Sequence, residues 1–365
     1  MVVVIMIETA DRPFPTHKRF LPGGTSSWGV MHAFNRTAGG LFLFGEAEKD
    51  YFRFLVHGAA HFCGLEVLAW TCLDNHFHLV LNVPSEAEGA RLRGEVSEEE
   101  IFARMEKCYS QIYLKDTKQR IKKFRSRPGK EHLAEDIIRR LRAQMYDIST
   151  YMHIVQRRFS AWFNDRHDRR GTLWQGRFGS TLVESSGEAL RKTAAYIDLN
   201  AVRAGIVDDP KDYRWCGYAE AEVGRAEGVA GVVATVRMAT DCPESEPISA
   251  AEAIACYRDW LAELGAPVID EHGGVVRRGF GGADAAGESK GNGNPGPAAR
   301  LGTRIRYFTA SLVIGSRAFC EEHFRRYRHA FGPNRQSGAR PLRHGNWGGL
   351  CGLRDLRRNV IGTPR

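Results

Sequence analysis

The chain has 365 residues, 43% of them hydrophobic, a net charge of +9 and a pI near 9.2. That length supports one sizeable core and a second small unit, and the charge favours a polyanionic partner, nucleic acid first. The eight cysteines contain no Cys-x-x-Cys pair, which argues against a zinc ribbon or a dense disulfide framework and suits a reducing cytoplasm. No stretch approaches the roughly 20 apolar residues that span a bilayer, so no membrane partner is expected.

The opening Met1–Ile7 run is apolar but too short for a signal peptide and lacks a basic start. It suits an edge strand or an extension upstream of the true start. Residues 8–25 are irregular, with Pro13, Pro15, Pro22 and Gly23-Gly24. A strand is expected at about Trp28 to Asn35, with Arg36 after it as a candidate DNA contact. A helix follows over Glu46 to Phe62, where Tyr51, Phe52, Phe54, Leu55 and Ala59 recur at helical spacing. Next come a strand at Leu65 to Leu73, a tight Asp74-Asn75 turn, and a strand carrying His76 and His78. Side chains alternate along a strand, so the two histidines share a face with Val80 and Asn82, while Phe77, Leu79, Leu81 and Val83 pack the other. Strand, helix, strand, strand is the first half of a ferredoxin-like α+β unit.

From about 85 to 148 the pattern becomes helical and charged. Lys115, Lys118, Lys122 and Lys123 stand in a basic block that suits a phosphate-backbone track, or a solvated helix face. A helix over about Tyr151 to Arg166 buries Ile154, Val155, Phe159, Trp162 and Phe163 and turns Arg157 and Arg158 outward. The loop Trp174-Gln175-Gly176-Arg177-Phe178 mixes aromatic, amide and guanidinium groups that can stack bases and bind phosphate; equally, Trp174 and Phe178 suit a core. A strand follows at Gly179 to Glu184, then a helix over Gly187 to Gly205, with Gly205 as its stop. On that helix Tyr196 and Asn200 lie four apart, hence on one face. Among the other tyrosines only Tyr218, with Glu222 four residues on, competes.

A further helix is expected over Ile248 to Leu264. Residues from about 265 to 300 are Gly-rich and read as a linker. Helical spacing returns over Leu312 to Phe324 in an arginine-rich stretch, 301–365, expected as a small helical DNA-binding appendage. The chain thus divides into a core over 1–220 with a charged insertion at about 85–148, a helical extension over 221–264, the linker, and the appendage.

Two imidazoles on one strand face, with an amide oxygen from Asn200, form a mixed N/O set suited to Mg²⁺ or Mn²⁺, though histidines alone also suit Zn²⁺. Such an ion polarises a phosphate for in-line attack. The Tyr196 phenol, of ordinary pKa about 10, then serves as nucleophile once deprotonated or assisted by the metal. A phosphotyrosine ester conserves the energy of the broken bond, which is the logic of strand transfer. Three motifs, Asn75-His76-Phe77-His78-Leu79, then Trp174 to Phe178, then Tyr196-Ile197-Asp198-Leu199-Asn200-Ala201-Val202-Arg203-Ala204-Gly205, resemble those of the REP-associated tyrosine transposases. These are relatives of the single-tyrosine HUH insertion-sequence transposases. The resemblance covers about residues 20 to 220 with the motifs in the family's order.

It implies a ferredoxin-like antiparallel sheet with helices on one face, which cuts and rejoins single-stranded DNA at hairpins through a 5′-phosphotyrosine and a divalent metal. Tyr196 matches the nucleophile, His76, His78 and Asn200 the metal ligands, and Arg203 stands beside them as a candidate DNA contact. Ala201 stands where a proline often follows the asparagine, and the charged insertion and the tail depart from the family. The alternative from another class is a hairpin-binding regulator whose chemistry has lapsed. A zinc hydrolase built on His76 and His78 is a weaker third, since no carboxylate stands at ligand spacing from them. Spacing leaves open whether a homodimer forms.

Overall fold

The computed structural model describes residues 19–23, 26–243, 245–265, 268–269, 275–277, 307–342 and 347–354. The Met1–Ile7 run and most of the Gly-rich stretch lie outside them. The chain is α+β. The first strand, β1 (Trp28–Arg36), is followed by α1 (Glu46–Cys63), β2 (Glu66–Cys72) and β3 (His76–Pro84). The charged stretch folds as four helices, α2 (Glu86–Glu95), α3 (Glu98–Cys108), α4 (Gln111–Arg125) and α5 (Glu131–Arg142). Then come α6 (Ile148–Arg166), β4 (Gly179–Val183), α7 (Gly187–Asp198), the short α8 (Asn200–Arg203), α9 (Gly217–Glu222), α10 (Ala226–Ala239) and α11 (Ala250–Gly265).

The first four strands lie in the order β2-β3-β1-β4 with every neighbouring pair antiparallel. Expected helices on one face are instead found on both. On β3, Phe77 meets Phe52 of α1 at 4.8 Å between ring centres, while the adjacent His78 faces Tyr196 of α7 at 6.1 Å. Because neighbouring strand residues point to opposite faces, α1 and α7 cover opposite sides of the sheet. The helices after residue 217 pack back onto the sheet through β2. Thr235 of α10 donates to the Leu68 carbonyl at 3.0 Å, and a Cβ at Gly231 would stand only 2.6 Å from the Val67 oxygen. Glycine is what lets this helix approach a strand backbone so closely.

The C-terminal stretch departs from the expected helical appendage. A two-stranded ribbon, β5 (Val268–Ile269) and β6 (Val275–Arg277), precedes α12 (Tyr307–Ala310), β7 (Val313–Gly315), α13 (Arg317–Arg326), β8 (Arg340–Pro341) and β9 (Cys351–Leu353). The expected helix over Leu312 to Phe324 begins only at Arg317, because Val313-Ile314 pairs in parallel with Leu182-Val183 of β4. Strands β7, β9 and β8 extend the sheet to seven strands, covering an edge of β4 that would otherwise expose unpaired backbone groups. The basic run Arg325-Arg326 falls in α13, whereas residues 355–358 lie outside the described residues. All eight cysteines are free thiols, and among the described residues no helix is long and apolar enough to cross a membrane.

Candidate active site

The β2–β3 turn is fixed from outside. The Asp74 carbonyl accepts from the Leu43 and Phe44 amides, each at 2.8 Å, Thr37 N donates to the Asn75 carbonyl at 2.9 Å, and Asn75 Nδ2 donates to Gly40 O at 2.9 Å. The strand leaving this turn therefore starts at a set place. Register then decides what stands beside the histidines. His76 lies opposite Arg36, His78 opposite Phe34 and Thr71, and Val80 opposite His32. Across β1, His32 also faces Thr181 of β4. Directly opposed residues share a face, so His32, Phe34, Arg36, Thr71, His76, His78 and Thr181 line one side of the sheet.

Tyr196 reaches this side from α7, and Asn200 opens α8 four residues on. The helix is interrupted at Leu199, and Gly205, at φ +68°, ends it with its amide on the Val202 carbonyl. The Tyr196 ring meets His78 edge to face at 6.1 Å between centres, carries the Arg203 guanidinium 4.8 Å above it, and stacks on Phe308 of α12 at 4.5 Å. Arg203 also donates to the Tyr196 carbonyl at 2.9 Å. The competing Tyr218 is fully buried, its hydroxyl donating to Glu222, so it belongs to the core.

Hydrogen bonds set the tautomers of three imidazoles, of which His32 and His78 are joined to each other and His76 is held by Asn75. His32 Nδ1 lies 3.0 Å from the Phe308 carbonyl, His32 Nε2 2.9 Å from His78 Nδ1, and His76 Nδ1 2.6 Å from Asn75 Oδ1. Burial lowers the His32 pKa to about 4, with the Phe308 carbonyl pulling the other way. Burial first, then the neighbouring His32 and His76, pushes His78 well below its ordinary value. Both shifts favour the neutral ring, the form in which an imidazole ligates a metal. The Asn200 side-chain nitrogen is buried without a hydrogen-bond partner; since amide O and N can be exchanged, Asn200 offers an unsatisfied polar group. Among the described residues no three His, Cys, Asp or Glu side chains form a metal cluster.

The other candidates divide into two groups. The Trp174–Arg177 loop is stapled to the end of β1: Trp174 bridges Thr37, Gln175 N donates to the Arg36 carbonyl at 2.9 Å, and Arg36 Nε donates to Gln175 Oε1. Trp174 itself packs against Phe77, Phe159 and Phe44. Arg158 donates to the Cys108 carbonyl at 2.7 Å and ties α6 to α3. By contrast Arg157, Arg177 and the α4 lysines Lys115, Lys118, Lys122 and Lys123 are exposed, with Lys118 4.0 Å from Glu106. Sequence reading missed His32 and Phe308. A histidine on an otherwise apolar strand face was a usable signal for the first; nothing local to Phe308 points to the site.

No family model and no curated protein matches this chain. Among solved structures it is similar to a REP-associated tyrosine transposase bound to a REP hairpin, at 12% identity and a TM-score of 0.35, over 57% of this chain and 86% of that one. So loose a superposition leaves the site to be judged on its own geometry.

Proposed function

We propose that this protein breaks and rejoins single-stranded DNA at hairpin sites, with Tyr196 as nucleophile, on a ferredoxin-like HUH core. The observation that carries this reading is the approach of Tyr196 to His78, 6.1 Å between ring centres, from a separate helix over a histidine-bearing strand face. The Tyr196 hydroxyl attacks the phosphorus and gives its proton to solvent, while the bond to the 3′ oxygen breaks and that oxygen takes a proton from solvent. The 5′ phosphate is left on tyrosine and a 3′ hydroxyl departs; the reverse attack rejoins a strand. Arg203, 4.8 Å from the ring centre, sets a positive charge where negative charge develops on the phenol. His76 and His78, with the unsatisfied amide of Asn200, fit a divalent ion. When bound, Mg²⁺ or Mn²⁺ supplies Lewis-acid polarisation of the scissile phosphate. The exposed α4 lysines and Arg157 and Arg177 give the strand a phosphate track without sequence preference.

A hairpin-binding regulator is the second reading, favoured by the Phe308 ring that covers one face of Tyr196 at 4.5 Å. A hairpin oligonucleotide labelled at its 3′ end, incubated with protein and Mn²⁺ and run on a denaturing gel, separates the two. Label that travels with the wild-type protein, needs the metal and disappears in Tyr196→Phe supports strand transfer. Tight hairpin binding with no adduct, over hairpins drawn from the DNA flanking the gene, supports the regulator instead. An adduct that persists in Tyr196→Phe removes Tyr196 as nucleophile.

A further inference from the structure

We propose that His32 is a positioning residue that fixes His78 in one tautomer, with its proton on Nδ1 and its lone pair on Nε2, turned to a divalent cation. The inference rests on the metal reading of His76 and His78 for its purpose, but the tautomer follows from the hydrogen bonds alone.

The relay begins in the C-terminal segment. The Phe308 carbonyl can only accept, so the 3.0 Å contact requires the proton on His32 Nδ1. His32 is fully buried between β1's neighbours, where Thr181 Oγ1, 2.7 Å from the Ser311 carbonyl, stands 3.1 Å from the Phe308 carbonyl as well. An unpaired imidazolium is disfavoured in such a place. A neutral ring with Nδ1 protonated has its lone pair on Nε2, and that atom stands 2.9 Å from His78 Nδ1. One hydrogen must lie between them, and it can come only from His78. The remaining nitrogen of His78 is then an acceptor. The opposite order would set two lone pairs against each other at the Phe308 carbonyl, inside the sheet and away from solvent. Asn75 Oδ1 imposes the same tautomer on His76 at 2.6 Å, so the two strand histidines receive matching instruction from two unrelated supports. A group that holds the outer nitrogen of a ligating histidine orients the ring and raises its basicity.

The test uses the full chain with ¹⁵N-labelled histidine. Two-bond proton–nitrogen spectra of the metal-free protein should show His78, assigned by the signal lost in His78→Gln, protonated at Nδ1 and unprotonated at Nε2. Mn²⁺ titration followed by the signal of the free ion gives the affinity. His32→Leu, which removes the acceptor, should lose the tautomer preference and weaken Mn²⁺ binding about 10- to 100-fold. His32→Gln, whose Oε1 can accept the same hydrogen, should recover most of both. A His78 protonated at Nε2 in a protein that binds Mn²⁺ overturns the relay and leaves the metal site standing. So does a His32→Leu protein that binds Mn²⁺ as the wild type does. A wild-type protein with the assigned tautomer that takes up no Mn²⁺ overturns the metal reading itself, and the relay's purpose with it.

Discussion

Replacing Trp174 decides whether that residue holds the fold or stacks a base. Its ring centre lies 5.2 Å from Phe77, 5.6 Å from Phe159 and 5.7 Å from Phe44, and its Nε1 donates to the Gln156 carbonyl at 3.2 Å. Three aromatic pairs at roughly 0.5–1.5 kcal/mol each, beyond their burial, and a hydrogen bond near 1 kcal/mol set the scale of what truncation removes. Fully buried tryptophans cost about 3–5 kcal/mol when cut to alanine, and Trp174 is only half-buried. The low end, about 3 kcal/mol, is therefore expected for Trp174→Ala. Trp174→Phe keeps a ring in the cluster and loses the N–H, so it should cost about 1 kcal/mol. Urea unfolding followed by circular dichroism measures both, alongside hairpin affinity for each variant. Had the indole been a stacking platform, alanine would instead cost about 1–3 kcal/mol of binding with little change in stability. Stability within about 1 kcal/mol of wild type together with weakened hairpin binding would refute the core placement.

Asp198, two residues beyond Tyr196, is buried against Tyr257 Oη at 2.6 Å and the Tyr218 amide at 3.3 Å, with Cys216 and the Gly217 amide beside it. Burial raises its pKa from 3.8 to about 7. A raised carboxyl pKa gives stability that is complete below the unfolded value and lost as pH climbs to the folded one. At about 1.4 kcal/mol per unit, the stability of Asp198→Asn relative to wild type should rise by up to about 4 kcal/mol between pH 4 and pH 8. A difference between the two proteins that ignores pH in urea unfolding would sink the assignment. On α4, alanine at Lys115, Lys122 and Lys123 together should lower the slope of log affinity against log salt by about 2–3, equally for matched and scrambled hairpins. An unchanged slope would show that this face is solvated and not on the DNA path.

The strand, helix, strand, strand opening was legible because its patterns are local: alternation on His76 to Val83, and helical spacing from Glu46. Spacing alone left Tyr196 and Tyr218 level, each with a polar partner four residues on, and it is burial of Tyr218 with its hydroxyl on Glu222 that sets it in the core. What could not be read was everything set by register between distant strands. Nothing near Val313-Ile314 says that it will pair with β4, and helical spacing competed for the same residues. The helices on both faces follow from where α7 returns after about 100 residues, which periodicity does not encode. Trp174 was open to either reading because an aromatic residue in a basic loop looks the same whether it packs or stacks. Only the three rings around it decide.

The histidine face also shows how a polar site survives within a sheet. Burying His32 and His78 would be costly were their ring nitrogens unpaired. The run of donors from His78 through His32 to the Phe308 carbonyl satisfies the inner three of their four nitrogens and ends on backbone. That end lies in a segment more than 270 residues away in the chain, held to β4 by β7, so the ring orientation depends on the C-terminal strands being in place. The satisfaction is not complete. Thr71 Oγ1, directly opposite His78 in register, and Asn200 Nδ2 are buried without hydrogen-bond partners. Each such group costs about 1–3 kcal/mol. Of the two, Thr71 belongs to the histidine face of the sheet, where packing alone would have favoured an apolar side chain.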